Sequence, residues 1–582
     1  MRIVSWSAAV LAVALASAPV AAQELDGELA ALTDQWYAYQ LAEYRQVEQA
    51  DGTTEAGDRF PSVTPAANMA RADYARATLA KLDAIDLKRL SASFRTDAEV
   101  FRTLLNEQIG DAQFREWEMP FDSDSDFWSY LAARRPLDDA DDYRRYIARI
   151  RDLPRYFDEH IANARAGLAR EFSVPAVTLT GRDASIAAHV VDDPEKSPFW
   201  TAFAQMPARV PESEAAALKA EARRAISSSA IPAFRMLLTF YRDECVPGAR
   251  KTLAAETMPD GKAYYAQQIR QYTTLDLTAD QIHEIGLTEV ARITREMEKV
   301  KAEAKFDGTL AEFITFLRTD PQFVARTGDE LMGVSSYVAK RTDDVIEKYF
   351  GLLPRKRFGI RPVDPAIAPF YTAGRGGLSA CQMNTYDLPS RPLYNIPALT
   401  LHECAPGHSF QAALALEREA APRFRRQTYF SGFGEGWGLY TEYLGNEMGI
   451  YRTPYERFGQ LSYEMWRAAR LAIDTGIHSK GWTREQAQKY LADHTALSTR
   501  EVETEVDRYI SWPGQALAYK LGAMTMLKVR AKAEKELGAK FDIRKFHDVV
   551  LALGSVPLPV LEERIDAFIA DGGQGLSGVT YK

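Results

Sequence analysis

The chain has 582 residues, which is long enough for two or three domain-sized units. Of these residues 46 % are hydrophobic and 26 % charged, a composition typical of globular proteins. Its net charge of −9 argues against nucleic acid and anionic membrane surfaces as partners. Three cysteines, Cys245, Cys381 and Cys404, do not make a disulfide framework. An oxidising compartment would still allow Cys245 to pair with Cys381, leaving Cys404 reduced.

Residues 1–22 are typical of a secretory signal peptide. Arg2 precedes an apolar run from Ala8 to Val20, and the small residues Ala21 and Ala22 then form a cleavage point. The run is short for a membrane span, and no cysteine follows the cleavage point to carry a lipid. We therefore expect a periplasmic or secreted chain without a membrane anchor after cleavage. An uncleaved N-terminal anchor is the alternative interpretation.

Residues 23–250 predict an N-terminal helical region. Apolar residues recur there at three- and four-residue spacing with charges between them, as in Asp142 to Leu168, which is the pattern of amphipathic helices. Residues 251–582 form a second region, which we expect to share one continuous cleft with the first. A helix is predicted near its start, from Thr278 to about Ala304, because Thr278 and Gln281 have the spacing of a capping box.

Prolines and glycines become frequent from Leu353 onwards and indicate an irregular segment. Within it, Leu378 to Tyr386 is the best candidate for a strand. The free edge of such a strand would hold an extended peptide by main-chain hydrogen bonds, largely independent of side chains. The alternative is a plain loop.

The most informative stretch runs from His402 to Gln411 and contains His402, Glu403 and His408. Imidazole is a common metal ligand, and a glutamate beside it is suited to deprotonating water at a metal. The histidines are six residues apart, so on a regular helix their rings would be about 120° out of phase. Pro406 and Gly407 supply the break that would let both rings reach one ion. The alternative is two unrelated histidines flanking a turn.

A glycine-rich helix beginning near Gly434 supplies the candidate third ligand. A zinc site with two histidines needs another protein ligand, and a carboxylate from a second helix is a frequent solution. Glu435 and Glu442 are seven residues apart and so lie on nearly the same helical face. We favour Glu435 as the ligand and Glu442 as the residue that orients a ligand histidine by a hydrogen bond.

Four segments of the second region resemble motifs of the bacterial DUF885 family: Leu401–Gln411, Glu435–Glu442, Asp474–Trp482 and Pro513–Tyr519. This family of largely uncharacterised proteins is grouped with the gluzincin-type metallopeptidases. It is similar to the helical thimet-oligopeptidase, angiotensin-converting and M32 carboxypeptidase families. The resemblance is strong in the C-terminal part of the chain and covers the N-terminal helices only in general character. The chain departs from the H-E-x-x-H motif of ordinary zincins by two extra residues between the histidines.

The resemblance implies a mainly α fold in which helices surround a deep cleft, with a small β-sheet beside the active-site helix. It implies zinc bound by His402, His408 and Glu435, with Glu403 as catalytic base. Related helical peptidases also use a histidine and tyrosines from late helices to stabilise the oxyanion of the tetrahedral intermediate. Three residues are candidates for that role here: His478, Tyr509 and Tyr519.

Together these features predict a secreted zinc peptidase that hydrolyses oligopeptides, with Glu403 as general base. One alternative is a zinc amidohydrolase that acts on non-peptide or cell-wall amides. Another is a catalytically inactive periplasmic binding protein, which would hold no metal.

Overall fold

The computed structural model describes residues 7–49, 52–121, 126–133, 136–365, 368–378, 380–418, 421–426 and 428–581; for residues 7–22 and 370 it describes the backbone only. Residues 1–6 of the predicted signal peptide lie outside the described residues. The fold is mainly α, as the sequence predicts. Among the described helices, none combines the length and the apolar character needed to cross a membrane.

The chain forms two compact units. The first unit comprises the residues up to Lys251 together with Ala421–Arg425, and the second comprises Thr252–Ala420 and Arg426–Lys582.

The first unit is a set of helices with one short antiparallel pair of strands. Its helices are α1 Ser7–Glu43, α2 Pro65–Asp83, α3 Ala92–Phe114, α4 Ala140–Ala169, α5 Ala176–Leu179, α6 Asp183–Ala187, α7 Thr201–Ala204, α8 Glu212–Ala225, α9 Ile231–Phe240 and α10 Val246–Gly248. The strands are β1 Gln46–Glu48 and β2 Thr54–Ala56.

Helix α4 shows how the sequence builds this unit. Asp139 caps its first turn, and Asp142 bonds back to the N–H of Asp139, so two backbone donors are satisfied at the start of the helix. Its apolar face buries Tyr143, Ile147 and Ile150 in the core of the unit, as the helical spacing of these residues predicts.

The second unit contains thirteen α-helices among its described residues and a small sheet. Its helices are α11 Gly261–Thr273, α12 Ala279–Glu303, α13 Leu310–Thr319, α14 Gly328–Val345, α15 Ile396–Glu403, α16 His408–Leu416, α17 Ser431–Glu447, α18 Pro454–Lys480, α19 Arg484–His494, α20 Thr499–Ser511, α21 Ala518–Leu537, α22 Ile543–Ala552 and α23 Leu558–Ala570. The predicted capping box of α12 is confirmed, because Thr278 and Gln281 bond to each other's backbone N–H groups.

Helix α18 forms the centre of the second unit. Every residue from Phe458 to His478 is buried, so the helix is covered on all sides. Helix α12 packs along it, and α17 and α21 pack against each other nearby in the same unit. Helix α15, which carries His402 and Glu403, packs against both α17 and α18.

The sheet of the second unit has the order β3–β5–β4, with β3 Gly359–Pro362, β4 Gly374–Arg375 and β5 Ala380–Met383. Strand β3 is parallel to β5, and β4 is antiparallel to it. The predicted strand is confirmed as β5, although it is shorter than expected. The prediction that it offers a free edge is wrong, because β3 and β4 occupy both of its sides. The edge strand beside α15 is β4.

A disulfide links Cys381 on β5 to Cys404, the residue directly after α15, with the two Cα atoms 5.3 Å apart. The Cys245–Cys381 pair that the sequence allowed does not form, Cys404 is not reduced, and Cys245 is a free, buried cysteine of the first unit. The reason is tertiary: the sheet runs alongside the end of α15, so Cys381 meets Cys404 there. The bond fastens the sheet to the residue that follows Glu403.

Replacing both bridged cysteines, Cys381→Ala with Cys404→Ala, is expected to lower the unfolding free energy of the second unit by about 3 kcal/mol. The bond closes a loop of 23 residues, and its loss restores that much loop entropy to the unfolded chain. Urea unfolding in the absence of reductant measures the change. Wild-type protein under reducing conditions should show the same loss, and a double variant as stable as the oxidised wild type would contradict the expectation.

Candidate metal centre

The two histidines of the central motif come together because the helix stops between them. Helix α15 ends at Glu403 and α16 begins at His408, with a turn at residues 404–407 that contains the cis Ala405–Pro406 peptide bond. The predicted interruption is therefore a complete break between two helices. The ring centroids of His402 and His408 lie 4.8 Å apart with their planes at 85°, so both rings face one space.

Glu435 on α17 completes a set of three potential ligands. Its Oε2 lies 3.6 Å from Nε2 of His402 and 3.4 Å from Nε2 of His408. One ligand atom from each of the three residues lies within 4.8 Å of the others. In a tetrahedral zinc site with ligands at about 2.0–2.1 Å, neighbouring ligand atoms are about 3.4 Å apart. The spacing and the chemistry of these side chains therefore fit a zinc ion.

Glu442 lies two helical turns beyond Glu435 and holds the other side of the His402 ring. Its Oε1 is 2.7 Å from Nδ1 of His402, and the carboxylate is fully buried. Arg467 approaches the same oxygen at 3.5 Å and balances part of its charge. A carboxylate on Nδ1 fixes the ring so that Nε2 points to the ligand set. This is the geometry expected of a residue that orients a ligand.

Glu403 is next to His402 in sequence but is not one of the three clustered groups. Its Oε2 accepts a hydrogen bond of 2.6 Å from the N–H of Gly376, which follows β4. Its side chain is only partly buried. The N–H of Gly376, directly after β4, thus fixes one oxygen of the Glu403 carboxylate.

Helix α17 lies so close to His402 that only glycine fits at one of its positions. A Cβ atom added at Gly438 would lie 2.6 Å from Cε1 of His402. The glycine at position 438 therefore makes space for the ring of His402.

The carboxylates that contact His402 shift its protonation equilibrium. Burial lowers the pKa of His402, but its interactions with Glu435 and Glu442 outweigh burial and raise that pKa to about 10. Burial acts to raise the pKa of Glu435, whereas His408 and His402 bring it well below its ordinary value. The protonated form of His402 is therefore favoured over the neutral form in this setting.

Of the three predicted oxyanion donors, only Tyr519 lies beside the ligand set. Its ring stacks against that of His402 at a centroid distance of 6.4 Å. Its hydroxyl is 3.5 Å from Arg508.

The predictions for His478 and Tyr509 are corrected, because both side chains serve buried hydrogen bonds. Nδ1 of His478 accepts from the N–H of Ala255 at 3.1 Å, and Nε2 donates to the carbonyl of Tyr509 at 2.9 Å. The hydroxyl of Tyr509 accepts from Trp466 at 2.8 Å and from Arg470 at 2.9 Å. These hydrogen bonds connect α18 with α20 and with the segment before α11.

Comparison with known proteins places the chain in a family. The family model described as "Bacterial protein of unknown function (DUF885)" matches residues 48–565. The chain belongs to the DUF885 family. No curated protein matches this DUF885 protein.

Two solved structures share the fold. The putative lipoprotein from Colwellia psychrerythraea is 24 % identical, covers 94 % of this DUF885 chain and 99 % of its own, and superposes with a TM-score of 0.83. A putative lipoprotein of unknown function from Shewanella oneidensis is 18 % identical, covers 92 % and 99 %, and has a TM-score of 0.61. At this identity the likeness establishes the fold alone.

Tyr429 is among the residues at this site that sequence reasoning missed. Its hydroxyl donates a hydrogen bond of 3.0 Å to Oε1 of Glu435, the oxygen that does not face the histidines. Tyr429 lies in the segment before α17 and in none of the recognised motifs. Its position six residues ahead of Glu435 is the only sequence signal that could have drawn attention to it.

Asp474, in the third of the four motifs that resemble the DUF885 family, is a buried hydrogen-bond acceptor. It accepts a hydrogen bond of 2.6 Å from the hydroxyl of Tyr265 and one of 3.2 Å from the N–H of Gly514. Gly514 begins the turn that leads to α21 and Tyr519. Burial raises the pKa of Asp474 to about 7, although both of these hydrogen bonds act to lower it.

The Asp474→Asn variant is expected to be less sensitive to pH than the wild type. In the wild type, the folded chain holds the proton up to about pH 7, whereas the unfolded chain releases it near pH 4. Stability from this group is therefore complete below pH 4 and is lost as pH rises through 7. Between pH 5 and pH 8 the variant should gain about 3 kcal/mol on the wild type. Urea unfolding at both pH values measures this, and parallel pH curves would contradict it.

Proposed function

We propose that this DUF885 protein is a zinc-dependent peptidase that hydrolyses peptide bonds of oligopeptides. The observation that carries the proposal is the convergence of His402, His408 and Glu435, together with Glu403, which adjoins His402 in the sequence and whose carboxylate is bonded to Gly376. His402, His408 and Glu435 would hold the ion. Zinc bound there supplies Lewis-acid chemistry at its open fourth position.

The residues of the chain have distinct parts in the proposed reaction. Glu403 takes the proton from the attacking water and returns it to the leaving amine, and the N–H of Gly376 keeps its carboxylate in position. Glu442 keeps the ring of His402 in one orientation. The hydroxyl of Tyr519 is the candidate donor to the developing oxyanion, since its ring stacks against His402.

We further propose that the protein works outside the cytoplasm, in the periplasm or as a secreted protein. The N-terminal sequence is typical of a signal peptide. The Cys381–Cys404 disulfide is of the kind that persists in oxidising compartments. The two similar structures come from proteins described as lipoproteins, which agrees with this location.

Mass spectrometry of a defined peptide mixture tests the proposed activity. Purified protein should cleave oligopeptides, lose the activity on treatment with a chelator, and regain it with added zinc. A matched panel of non-peptide amides and peptidoglycan fragments should be left intact. Zinc-dependent cleavage of that panel instead of the peptides would contradict the peptidase and support the amidohydrolase. Absence of both bound metal and any chelator-sensitive activity would contradict both.

A further inference from the structure

We propose that Tyr429 is a positioning residue that makes Glu435 offer a single oxygen to the metal ion. This inference rests on the proposed function, because it concerns the same ion. Oε2 of Glu435 faces the two histidines at 3.4 Å and 3.6 Å, and Oε1 accepts the hydrogen bond from Tyr429 at 3.0 Å.

The two oxygens of Glu435 therefore have different partners: Oε2 faces the histidines, and Oε1 accepts the hydrogen bond from Tyr429. A carboxylate can bind a metal ion through one oxygen or through both. Binding through both would use the position that a catalytic zinc site keeps open for water or substrate. Turning Oε1 towards the ion would break its hydrogen bond to Tyr429. The hydroxyl therefore favours a three-ligand site with one open position.

The backbone beside Tyr429 is anchored by a hydrogen bond of the next residue. The next residue, Phe430, is buried, and its N–H donates a hydrogen bond of 2.8 Å to Oγ of Ser555. Helix α17 begins directly afterwards at Ser431. The segment that carries Tyr429 is thus attached at its end to the helix that carries Glu435.

A glycine of α17 makes space for the Tyr429 ring. A Cβ atom at Gly434 would lie 2.2 Å from Cε2 of that ring, so the ring is in close contact with the helix one residue before Glu435. Any side chain at position 434 would push the ring away and pull its hydroxyl from Oε1. Gly434 is therefore needed for the hydroxyl of Tyr429 to reach Oε1 of Glu435.

The exposure of Tyr429 distinguishes a role in positioning Glu435 from a role in stabilising the fold. Tyr429 is 52 % exposed, so about half of its side chain lies outside the packed core. Loss of this hydroxyl should leave the packed core unchanged, since half of the side chain is outside it. An effect of its removal on metal binding would then come from Glu435.

The test compares Tyr429→Phe with the wild type and with Tyr443→Phe. Tyr443 is an exposed tyrosine on α17 itself and serves as the matched control. We expect Tyr429→Phe to weaken zinc binding about 10- to 100-fold in competition with a chromogenic chelator, the usual effect of removing a partner of a metal ligand. The visible absorption of the Co²⁺-loaded variant should also fall in intensity, because a second oxygen of Glu435 enters the coordination sphere. Gly434→Ala should reproduce both changes.

Wild-type affinity and a wild-type Co²⁺ spectrum in Tyr429→Phe would overturn the inference while leaving the metal site standing. The same changes in Tyr443→Phe would also overturn it, because they would show no dependence on the contact with Glu435. Failure of the wild type to bind Zn²⁺ or Co²⁺ would overturn the proposed function and this inference together. The three results are distinguishable in one set of titrations.

Discussion

The Glu403→Gln variant is expected to bind zinc like the wild type and to lose about 10³-fold in kcat for oligopeptide hydrolysis. The amide oxygen of glutamine can still accept the hydrogen bond from Gly376, so the local geometry is kept. The amide cannot take a proton from water, and general acid–base catalysis typically contributes 10²–10⁴-fold. Steady-state kinetics together with zinc analysis of the same sample measures both properties.

Glu347→Gln is the matched control for this variant. Glu347 is an exposed glutamate of the same unit, far from the motif in sequence, and its substitution should change neither zinc content nor kcat. A zinc-loaded Glu403→Gln protein with kcat within tenfold of the wild type would remove Glu403 from the role of general base.

The Gly438→Ala variant is expected to fold but to lose more than about 100-fold in zinc affinity, and with it nearly all hydrolysis. The new Cβ would lie 2.6 Å from Cε1 and 2.8 Å from Nε2 of His402, so the ring must move. Movement of the ring breaks its hydrogen bond to Glu442 and misplaces a ligand, and loss of such support alone costs 10–100-fold. Overpacking lowers the free energy of unfolding by about 1–3 kcal/mol. The higher helix propensity of alanine offsets part of this loss, so the variant should still fold.

Gly333→Ala on α14 provides the comparison. A Cβ at Gly333 would meet nothing within 4 Å, so this variant should keep full zinc affinity and gain slightly in stability. Equal zinc affinity in Gly438→Ala and Gly333→Ala, measured by chelator competition, would contradict the account of His402.

Local signals in the sequence predict the features that neighbouring residues determine. The capping box of Thr278 and Gln281 starts α12, and the Pro406–Gly407 pair marks the end of one helix before His408 begins another. The seven-residue spacing of Glu435 and Glu442 puts both on one face of α17, and both reach the ring of His402. In each case the physical cause operates over one or two helical turns.

Features that depend on distant segments were missed or predicted wrongly. Cys381 pairs with Cys404 because the sheet lies along α15. The residues next to either cysteine in the sequence do not indicate this contact. His478 and Tyr509 are residue types that are common in active sites. Helix packing instead buries both side chains, and Nε2 of His478 donates a hydrogen bond to the carbonyl of Tyr509. Tyr429 is close to Glu435 in the sequence, but its contact depends on the ring packing against Gly434, which no recognised motif indicates. Such contacts are determined by packing, which the pattern of one segment does not report.

The most direct test of the metal centre is an anomalous-difference map at the zinc edge from crystals of the purified protein. The account predicts one peak, at about 2.0–2.2 Å from Nε2 of His402, Nε2 of His408 and Oε2 of Glu435. No zinc peak among these three residues, or a peak bound by other side chains, would contradict it.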